Sequence, residues 1–247
     1  MISKASGASI GNEILAALPS HEYNRIAPNL ESVRLTYGKV VYHFGDHIGH
    51  VYFPQSGMGS LLSVTLSGQS IEIGMAGREG VLGIPVILGR SRTPYQVRVE
   101  VQGTALRIKA NLLREEFSRR GSLHDLLLSY TYVLLAQLSQ SAVCNRFHTV
   151  DQRLCRWLLI ASDRVDSNKL KFTQDSLAQM LGSRRQGVAE AANKLQKAKL
   201  IHYARGRITI LDRRGLESAC CECYEIEHAL HDAAVEGDRF RSIRISP

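Results

Sequence analysis

The sequence has no cysteine before Cys144 and only five cysteines in all, at irregular positions. An odd, scattered set of cysteines excludes a framework of paired disulfides and fits a reducing compartment. The residues after Met1 lack a signal-type apolar core, and no apolar run approaches the length of a membrane span. The sequence therefore predicts a cytoplasmic protein that does not contact a membrane.

The chain also lacks the local motifs of common enzymes, because neither a Gly-rich phosphate loop nor a nucleophile elbow occurs. A metal could be held by His43, His47 and His50, but no His-x-His pair with a following glutamate supports this. Cys220, Cys221 and Cys223 have no evident second ligand pair nearby, so a thiol cluster without function is favoured over zinc binding or oxidant sensing. We expect no enzymatic activity, no cofactor and no bound metal.

Positive charge is concentrated in one part of the chain. The 247 residues carry a formal charge of +8, and residues 149–215 contain 14 Lys/Arg against 6 Asp/Glu. Residues 216–247 contain 3 Lys/Arg against 7 Asp/Glu. Attraction to backbone phosphates requires such a bias, whereas a generic solvated surface does not. This distribution indicates that residues 149–215 bind nucleic acid.

Residues 172–188 predict two short helices joined by a tight turn at Gly182. Thr173 is a good N-cap for the first helix. Ser183 and Gln186 form a second capping pattern, which would start the next helix at Ser183. This arrangement is a helix-turn-helix, and the alternative is an ordinary helical hairpin with a solvated charged face.

The predicted second helix has an apolar stripe and, opposite it, a polar face that begins with Arg184 and Arg185. A helix-turn-helix presents the N-terminal residues of its second helix to base edges in the major groove of double-stranded DNA. Residues 200–211 alternate on both sides of a glycine and predict a β-hairpin with Arg205 and Arg207 at its tip. Such a hairpin is the wing of a winged helix-turn-helix, where both arginines would meet phosphate.

The rest of the chain predicts a barrel followed by a long helix. Residues 32–108 contain short alternating runs separated by glycines, including one from Gln96 to Ile108, and predict an antiparallel barrel or jelly roll. Residues 122–147 are helical with two apolar seams, one for the barrel and one for a second subunit. We assign Leu127, Leu134 and Leu138 to a two-fold homodimer. The alternative is a helix buried within a monomer.

The predicted fold is therefore α+β and has four parts. Residues 15–120 form a sensory barrel, and residues 121–148 form a dimerisation helix with a hinge near His148. Thr149 and Gln152 form a capping box that restarts the helix. Residues 149–218 form the winged helix-turn-helix, and residues 219–247 form an acidic tail, a helix that frays towards Pro247.

In this order of elements the chain resembles the Crp/Fnr family of bacterial transcription regulators over about residues 15–215. Residues 38–46, Gly-Lys-Val-Val-Tyr-His-Phe-Gly-Asp, resemble the family's early barrel strand and turn. Residues 172–175, Phe-Thr-Gln-Asp, and residues 182–186, Gly-Ser-Arg-Arg-Gln, resemble its DNA-reading segment. The resemblance implies a homodimer that binds a pseudo-palindromic DNA site, contacts RNA polymerase and responds to a small-molecule effector.

The resemblance also implies roles for single residues. Arg185 corresponds to the family's guanine-reading arginine, and Gln186 and Glu190 fall on its other base-contacting positions. Gln174 and Arg184 fall on phosphate-contacting positions, and we place Thr173 with them. A rival interpretation is a barrel that binds a partner protein or lipid, with the basic domain acting only as an interaction module.

The effector site departs from the family's pattern. Members that bind a cyclic nucleotide carry a Gly-Glu pair and, about ten residues later, Arg-Ser/Thr-Ala, whereas this chain has Gly83-Ile84 and Thr93-Pro94. Neither the ribose-binding glutamate nor the phosphate-binding arginine is present, so a cyclic nucleotide is not expected. The candidate pocket comprises Gly83, Ile84, Arg92 and Thr93. The absence of cysteine before residue 144 also excludes the N-terminal iron–sulfur cluster of the family's oxygen-sensing branch.

Overall fold

The computed structural model describes residues 10–236, with side chains to residue 230. The described part begins with helices α1 (Glu13–Ala16) and α2 (Ser20–Ile26), followed by a 3₁₀ turn. Asn12 caps α1, since its side chain accepts a hydrogen bond from the Leu15 amide and donates to the Pro54 carbonyl at 3.1 Å. The first helix is thereby fixed to the strands that follow.

Seven strands form the N-terminal domain in two antiparallel sheets. They are β1 (Glu31–Leu35), β2 (Val40–Tyr42), β3 (His50–Pro54), β4 (Met58–Val64), β5 (Ser70–Ala76), β6 (Gln96–Val101) and β7 (Gly103–Lys109). The sheet orders are β1-β7-β3 and β2-β6-β4-β5. The predicted antiparallel β architecture is confirmed.

One predicted run of strand is divided in the structure. The segment Gln96–Ile108 forms β6 in one sheet and β7 in the other, with the change of sheet at Gln102. A Cβ atom at Gly103 would collide with the Ser56 carbonyl, so the close approach of two backbones requires glycine there. The alternation of apolar and polar residues does not reveal this change of sheet, because β6 and β7 each keep the two-residue period of a strand.

The next helices are α3 (Ala110–Phe117) and α4 (Ser122–Phe147). On α4, Leu127 and Leu134 are only 0% and 5% exposed, because they pack on the barrel of the same chain. Leu138 is partly buried against the same core. The assignment of these three leucines to a dimer interface is therefore wrong: they form the intrachain seam.

A different side of α4 is exposed and apolar. Leu128, Tyr132 and Leu135 are exposed, and Ser139 and Ala142 continue the row. The spacing of these five residues alternates between four and three, which is the period of a coiled-coil seam. The sequence analysis did not predict this row, because the second seam predicted there, Leu126, Tyr130 and Val133, is buried or partly buried.

By length and composition α4 also meets the requirement for crossing a membrane. Its most apolar 18-residue window has a mean hydropathy of 1.2, and 39% of that window is buried within the protein. The expectation that no apolar run approaches the length of a span is therefore wrong for this helix. Core helices of water-soluble domains share the property, and α4 packs on the barrel like one of them.

The C-terminal half contains helices and a small sheet. The elements are α5 (Val150–Val165), β8 (Lys169–Lys171), α6 (Gln174–Met180), α7 (Arg185–Lys197), β9 (Ile201–Ala204), β10 (Arg207–Ile210), α8 (Arg213–Ser218) and α9 (Cys223–Glu236). The predicted capping box at the start of α5 is present between Thr149 and Gln152. In the core, the rings of Trp157 and Phe172 meet edge to face with centroids 4.6 Å apart.

The segment expected to be a fraying acidic tail, residues 219–247, contains helix α9. Glu227 of α9 is buried and lies 2.7 Å from the Arg156 guanidinium and 3.3 Å from that of Arg164. Its carboxylate also accepts a hydrogen bond from Gln137 of α4. Residues 219–236 are thus packed against α4 and α5, and the predicted fraying near Pro247 lies outside the described residues.

Candidate nucleic-acid interface

The turn between α6 and α7 is built as the sequence indicates. The Thr173 hydroxyl accepts a hydrogen bond from the Ser176 amide at 3.1 Å and so caps α6. Gly182 has a φ of +54°, in the left-handed region that favours glycine. A Cβ atom at this position would also collide with the Ile71 side chain of the barrel. These features let the chain leave α6 and enter α7 within a few residues.

The start of α7 differs from the prediction. The helix begins at Arg185, with Arg184 as its N-cap, and among the described side chains none caps it. The Ser183 amide donates to the Ala178 carbonyl at 2.9 Å, which keeps Ser183 in the turn. Gln186 is therefore the second residue of the helix, and its amide donates to the Glu190 carboxylate at 3.0 Å instead of capping.

The polar face of α7 is open to solvent. Arg184, Arg185, Gln186 and Glu190 are exposed, whereas the apolar stripe that begins at Val188 is buried. The Arg185 guanidinium lies 3.4 Å from the Asp175 carboxylate. Because both side chains are largely exposed, this pair contributes only roughly 0–1 kcal/mol and does not prevent Arg185 from changing partner.

The hairpin after α7 has the predicted tip. Arg205 and Gly206 have φ values of +50° and +72°, as a two-residue type I′ turn requires. Arg205 and Arg207 are exposed at this tip. The Tyr203 hydroxyl donates to the Phe172 carbonyl at 3.1 Å, which fixes the wing beside the N-terminus of α6.

Side chains that the sequence analysis did not single out join α6 to the barrel. The Gln179 amide donates to the Ser70 hydroxyl at 2.6 Å and accepts from the Arg98 guanidinium at 2.9 Å. These residues are far apart in the sequence, so no local signal points to the contact. The helix-turn-helix is consequently held against strands β5 and β6.

A buried carboxyl group lies at the same boundary. Glu72 of β5 accepts hydrogen bonds from the Ser60 hydroxyl and, at 2.7 Å, from the Trp157 indole of α5. Burial raises the pKa of Glu72 to about 7, against the lowering effect of these two hydrogen bonds. The contact between barrel and DNA-binding half therefore contains a group that titrates near neutral pH.

A cleft of about 560 Å³ lies between the barrel and α4. Of the four predicted pocket residues, Ile84 and Arg92 line it, whereas Gly83 and Thr93 do not. The Thr93 hydroxyl is buried and donates to the Tyr95 carbonyl at 2.7 Å. Sequence reasoning missed the α4 side of the cleft, which comprises Thr131, Leu134, Leu135 and Leu138.

The two halves of the chain match two known domain families. Residues 32–120 match the cyclic nucleotide-binding domain, and residues 152–219 match the Crp-like helix-turn-helix domain. The chain belongs to the Crp/Fnr family. It is a transcription regulator of the Crp/Fnr type, with a barrel of the cyclic nucleotide-binding fold joined through α4 to a helix-turn-helix domain.

Similar proteins agree with this assignment. The global nitrogen regulator of Synechococcus elongatus is 26% identical over 191 residues, covering 71% of this chain and 83% of that protein. Among solved structures, FixK2 from Bradyrhizobium japonicum superposes with a TM-score of 0.67 at 13% identity, over 78% of this chain and 98% of that one. A Crp/Fnr-family regulator from Eubacterium rectale superposes with a TM-score of 0.65 at 18% identity, over 85% of this chain and 98% of that one. At these identities the two structures show a shared fold.

The cysteines of this Crp/Fnr protein are arranged differently from the expectation. Cys221 and Cys223 do have a second ligand pair nearby, because Cys144 and His148 at the end of α4 lie beside them. Cys220 points elsewhere, with its Sγ 3.9 Å from the Gln152 carbonyl. The pairing was missed because Cys144 and Cys221 are 77 residues apart in the sequence.

Proposed function

We propose that this Crp/Fnr regulator binds a pseudo-palindromic DNA site as a homodimer and reads its bases with α7. The observation that carries the proposal is the exposed first turn of a helix whose opposite face is buried in the domain core. Arg185 is suited to pair with a guanine through both guanidinium donors, and Gln186 and Glu190 present amide and carboxylate groups to neighbouring bases. The helix enters the major groove by this end.

The phosphate contacts surround this helix. Thr173, Gln174 and Arg184 lie at the two helix starts of the helix-turn-helix, and Arg205 and Arg207 lie at the wing tip. Contacts to phosphate position the protein on the duplex without reading the sequence. They also make the affinity depend on salt, since each neutralised phosphate releases counterions.

The exposed seam of α4 supports the homodimer. Leu128, Tyr132 and Leu135 would be left in water in a monomer, although their spacing is that of a coiled coil. Pairing of two α4 helices about a two-fold axis buries this seam and sets the separation of the two α7 helices. Half-sites are then spaced by about one helical turn, roughly 10 base pairs, or a multiple of it.

The cleft between the barrel and α4 is the proposed effector site. Its lining is largely apolar, with Arg90 and Arg92 as cations, and among the described residues no carboxylate lines it. The Arg92 guanidinium donates to the Gly45 carbonyl at 2.7 Å. Among the described residues of the lining, no carboxylate could accept from the ribose hydroxyl of a cyclic nucleotide, so the effector is a different small molecule. The protein acts in the cytoplasm without enzymatic activity, and RNA polymerase is its partner at promoters.

A mobility-shift assay with genomic DNA fragments at physiological salt tests this function. We expect a minority of fragments to be shifted, with no change when cyclic AMP is added. Equal retardation of all fragments would show that α7 binds DNA only through non-specific electrostatic attraction. Failure to shift any fragment would favour the alternative that the basic domain is an interaction module for protein or lipid. Either result contradicts the proposal.

A further inference from the structure

Four potential metal ligands meet where α4 ends and α9 begins. Cys144 lies in the last turns of α4 and His148 is its C-cap; Cys221 precedes α9 and Cys223 is the first residue of α9. One ligand atom from each residue lies within 4.8 Å of the corresponding atom of every other. Among residues 10–230, these four residues are the one cluster of three or more His, Cys, Asp or Glu side chains with the spacing to hold a metal ion.

The distances within the group fit a single ion. The Sγ atoms of Cys144 and Cys221 are 3.7 Å apart, and Cys223 Sγ lies 3.3 Å from His148 Nδ1. With zinc–sulfur bonds of about 2.3 Å and zinc–nitrogen bonds of about 2.0 Å, a tetrahedron places its ligand atoms about 3.5–3.8 Å apart. In a [4Fe–4S] cluster each thiolate binds a different iron atom, so the thiolates lie farther from one another.

The four ligands also form two local pairs, and the backbone of each segment brings the two members of its pair together. Cys144 and His148 are four residues apart at a helix end, which places them on one side of α4. Cys221 and Cys223 flank the turn into α9, with a single residue between them. Two such pairs supply four ligands from two segments that are distant in the sequence, as in structural zinc sites.

The surroundings hold the ligands in position. The three cysteines are buried, so water does not complete the coordination. His148 Nε2 lies 3.2 Å from the Glu222 carboxylate, which leaves Nδ1 for the ion. The Gln140 amide donates to Cys223 Sγ at 3.0 Å. A carboxylate behind a ligating histidine and a donor to a ligating sulfur are the outer contacts that metal sites use.

We propose that Cys144, His148, Cys221 and Cys223 form a closed four-coordinate site for one thiophilic divalent ion of the zinc class. All four positions are filled by protein, so the ion is structural and does not take part in catalysis. It ties the end of α4 to the start of α9 at the junction with α5. Binding of the ion therefore stabilises the folded junction, since the unfolded chain does not keep the ligands together.

Cobalt(II) binding to the full-length, reduced and metal-stripped protein tests the site. We expect one cobalt per chain, with the intense visible bands of tetrahedral cobalt and a thiolate-to-cobalt charge-transfer band, both removed by zinc. Cys144→Ser and Cys223→Ser should abolish the charge-transfer band or weaken cobalt binding more than about 100-fold, which exceeds the effect of losing an outer contact. Cys220→Ser is the matched control and should bind cobalt like the unaltered protein.

Because replacement of a buried cysteine can prevent folding, the exposed Glu222 provides a second test. Glu222→Ala leaves the four ligands in place but removes the carboxylate behind His148, and we expect cobalt affinity to fall by about 10-fold to 100-fold. Three results would overturn the proposal: only the weak bands of octahedral cobalt, equal cobalt binding by Cys144→Ser and Cys220→Ser, or a stable Cys144–Cys221 disulfide in protein that binds no metal. Iron with inorganic sulfide in anaerobically purified protein would also contradict a single-ion site.

Discussion

At the residue scale, the arginines of the wing and of α7 have different surroundings and hence different expected effects. Arg207 is exposed on β10 of the hairpin, where it pairs with Ala204 of β9. As a neutraliser of phosphate it should raise affinity for all sequences equally.

We expect Arg207→Ala to weaken binding of specific and unrelated DNA by the same factor. The dependence of log affinity on log salt should become shallower by about one unit per lost contact. Titrations of labelled duplexes over a range of salt concentrations measure both quantities. His202→Ala, in the neighbouring strand, is the control, and a loss confined to one DNA sequence would show that Arg207 reads bases.

Glu72 makes stability depend on pH. Its carboxyl group keeps its proton to about pH 7 in the folded protein, whereas the unfolded chain releases it near pH 4.5. The folded state therefore binds more protons between these two values, and the stabilisation is full below pH 4.5 and lost as the pH rises to about 7. Over that window the loss is on the order of 3 kcal/mol, since each pKa unit corresponds to about 1.4 kcal/mol.

Glu72→Gln should remove this dependence while keeping an acceptor for the Trp157 indole. We expect the unfolding free energy of the unaltered protein to fall relative to that of Glu72→Gln as the pH is raised from 4.5 to 7.5. Denaturant titrations at several pH values measure the difference. Glu115→Gln, at an exposed position of α3, is the control, and parallel pH profiles for Glu72→Gln and the unaltered protein would contradict the assignment.

At the element scale, α4 packs one seam on its own barrel and leaves a second seam exposed, which we propose pairs with a second copy of the chain. Leu135→Glu places a carboxylate on the exposed seam and should yield folded monomers with weakened DNA binding, because two like charges would face each other across the two-fold axis. Sedimentation of the variant and of Leu66→Glu, at an exposed leucine in the turn between β4 and β5, measures the effect. A monomeric unaltered protein at micromolar concentration, or a dimeric Leu135→Glu, would refute the seam.

A buried carboxylate on helix α9, that of Glu227, pairs with two arginines of α5. Glu227→Ala leaves Arg156 and Arg164 without that partner inside the protein, and breaking such a buried pair costs about 3–5 kcal/mol of stability. Glu225→Ala, on the exposed side of the same helix, should have little effect. Thermal and chemical unfolding of the two variants measure the difference, and equal stability would show that α9 is not anchored by Glu227.

The elements that sequence analysis predicted correctly depend on local rules. The caps at Thr173 and Thr149 and the glycine turn at Gly182 involve residues three or fewer positions apart or a single φ value, so their patterns are visible in the chain. The start of α7 was misplaced because the backbone hydrogen bond from Ser183 to Ala178 keeps Ser183 in the turn, so that its capping pattern with Gln186 does not form.

The features that sequence analysis missed depend on contacts between distant segments. Periodicity gave two seams on α4 but missed the exposed row that begins at Leu128, since several faces of this helix are apolar. The cysteine group and the contacts of Gln179 join segments separated by many tens of residues. Such pairs become visible only when the topology places their elements side by side.

At the scale of the whole molecule, the barrel, α4 and the helix-turn-helix form one connected structure. Gln179 and Glu72 join the DNA-binding half to strands β5 and β6, and the cleft lies between the barrel and α4. A ligand in the cleft would contact Leu134 and Leu135 on the two seams of α4. The proposed effector site thus lies next to the proposed dimer seam, and in the proposed dimer that seam sets the positions of the two α7 helices.

Selection of preferred sites from random DNA, carried out in parallel with the unaltered protein and Arg185→Ala, tests the central claim most directly. We expect the unaltered protein to enrich a pseudo-palindrome with a guanine at one symmetric position. Arg185→Ala should lose preference at that position alone, at a cost of about 1–3 kcal/mol per half-site. Identical enriched motifs for the two proteins would show that Arg185 does not read a base, and failure to enrich any motif would contradict sequence-specific recognition by α7.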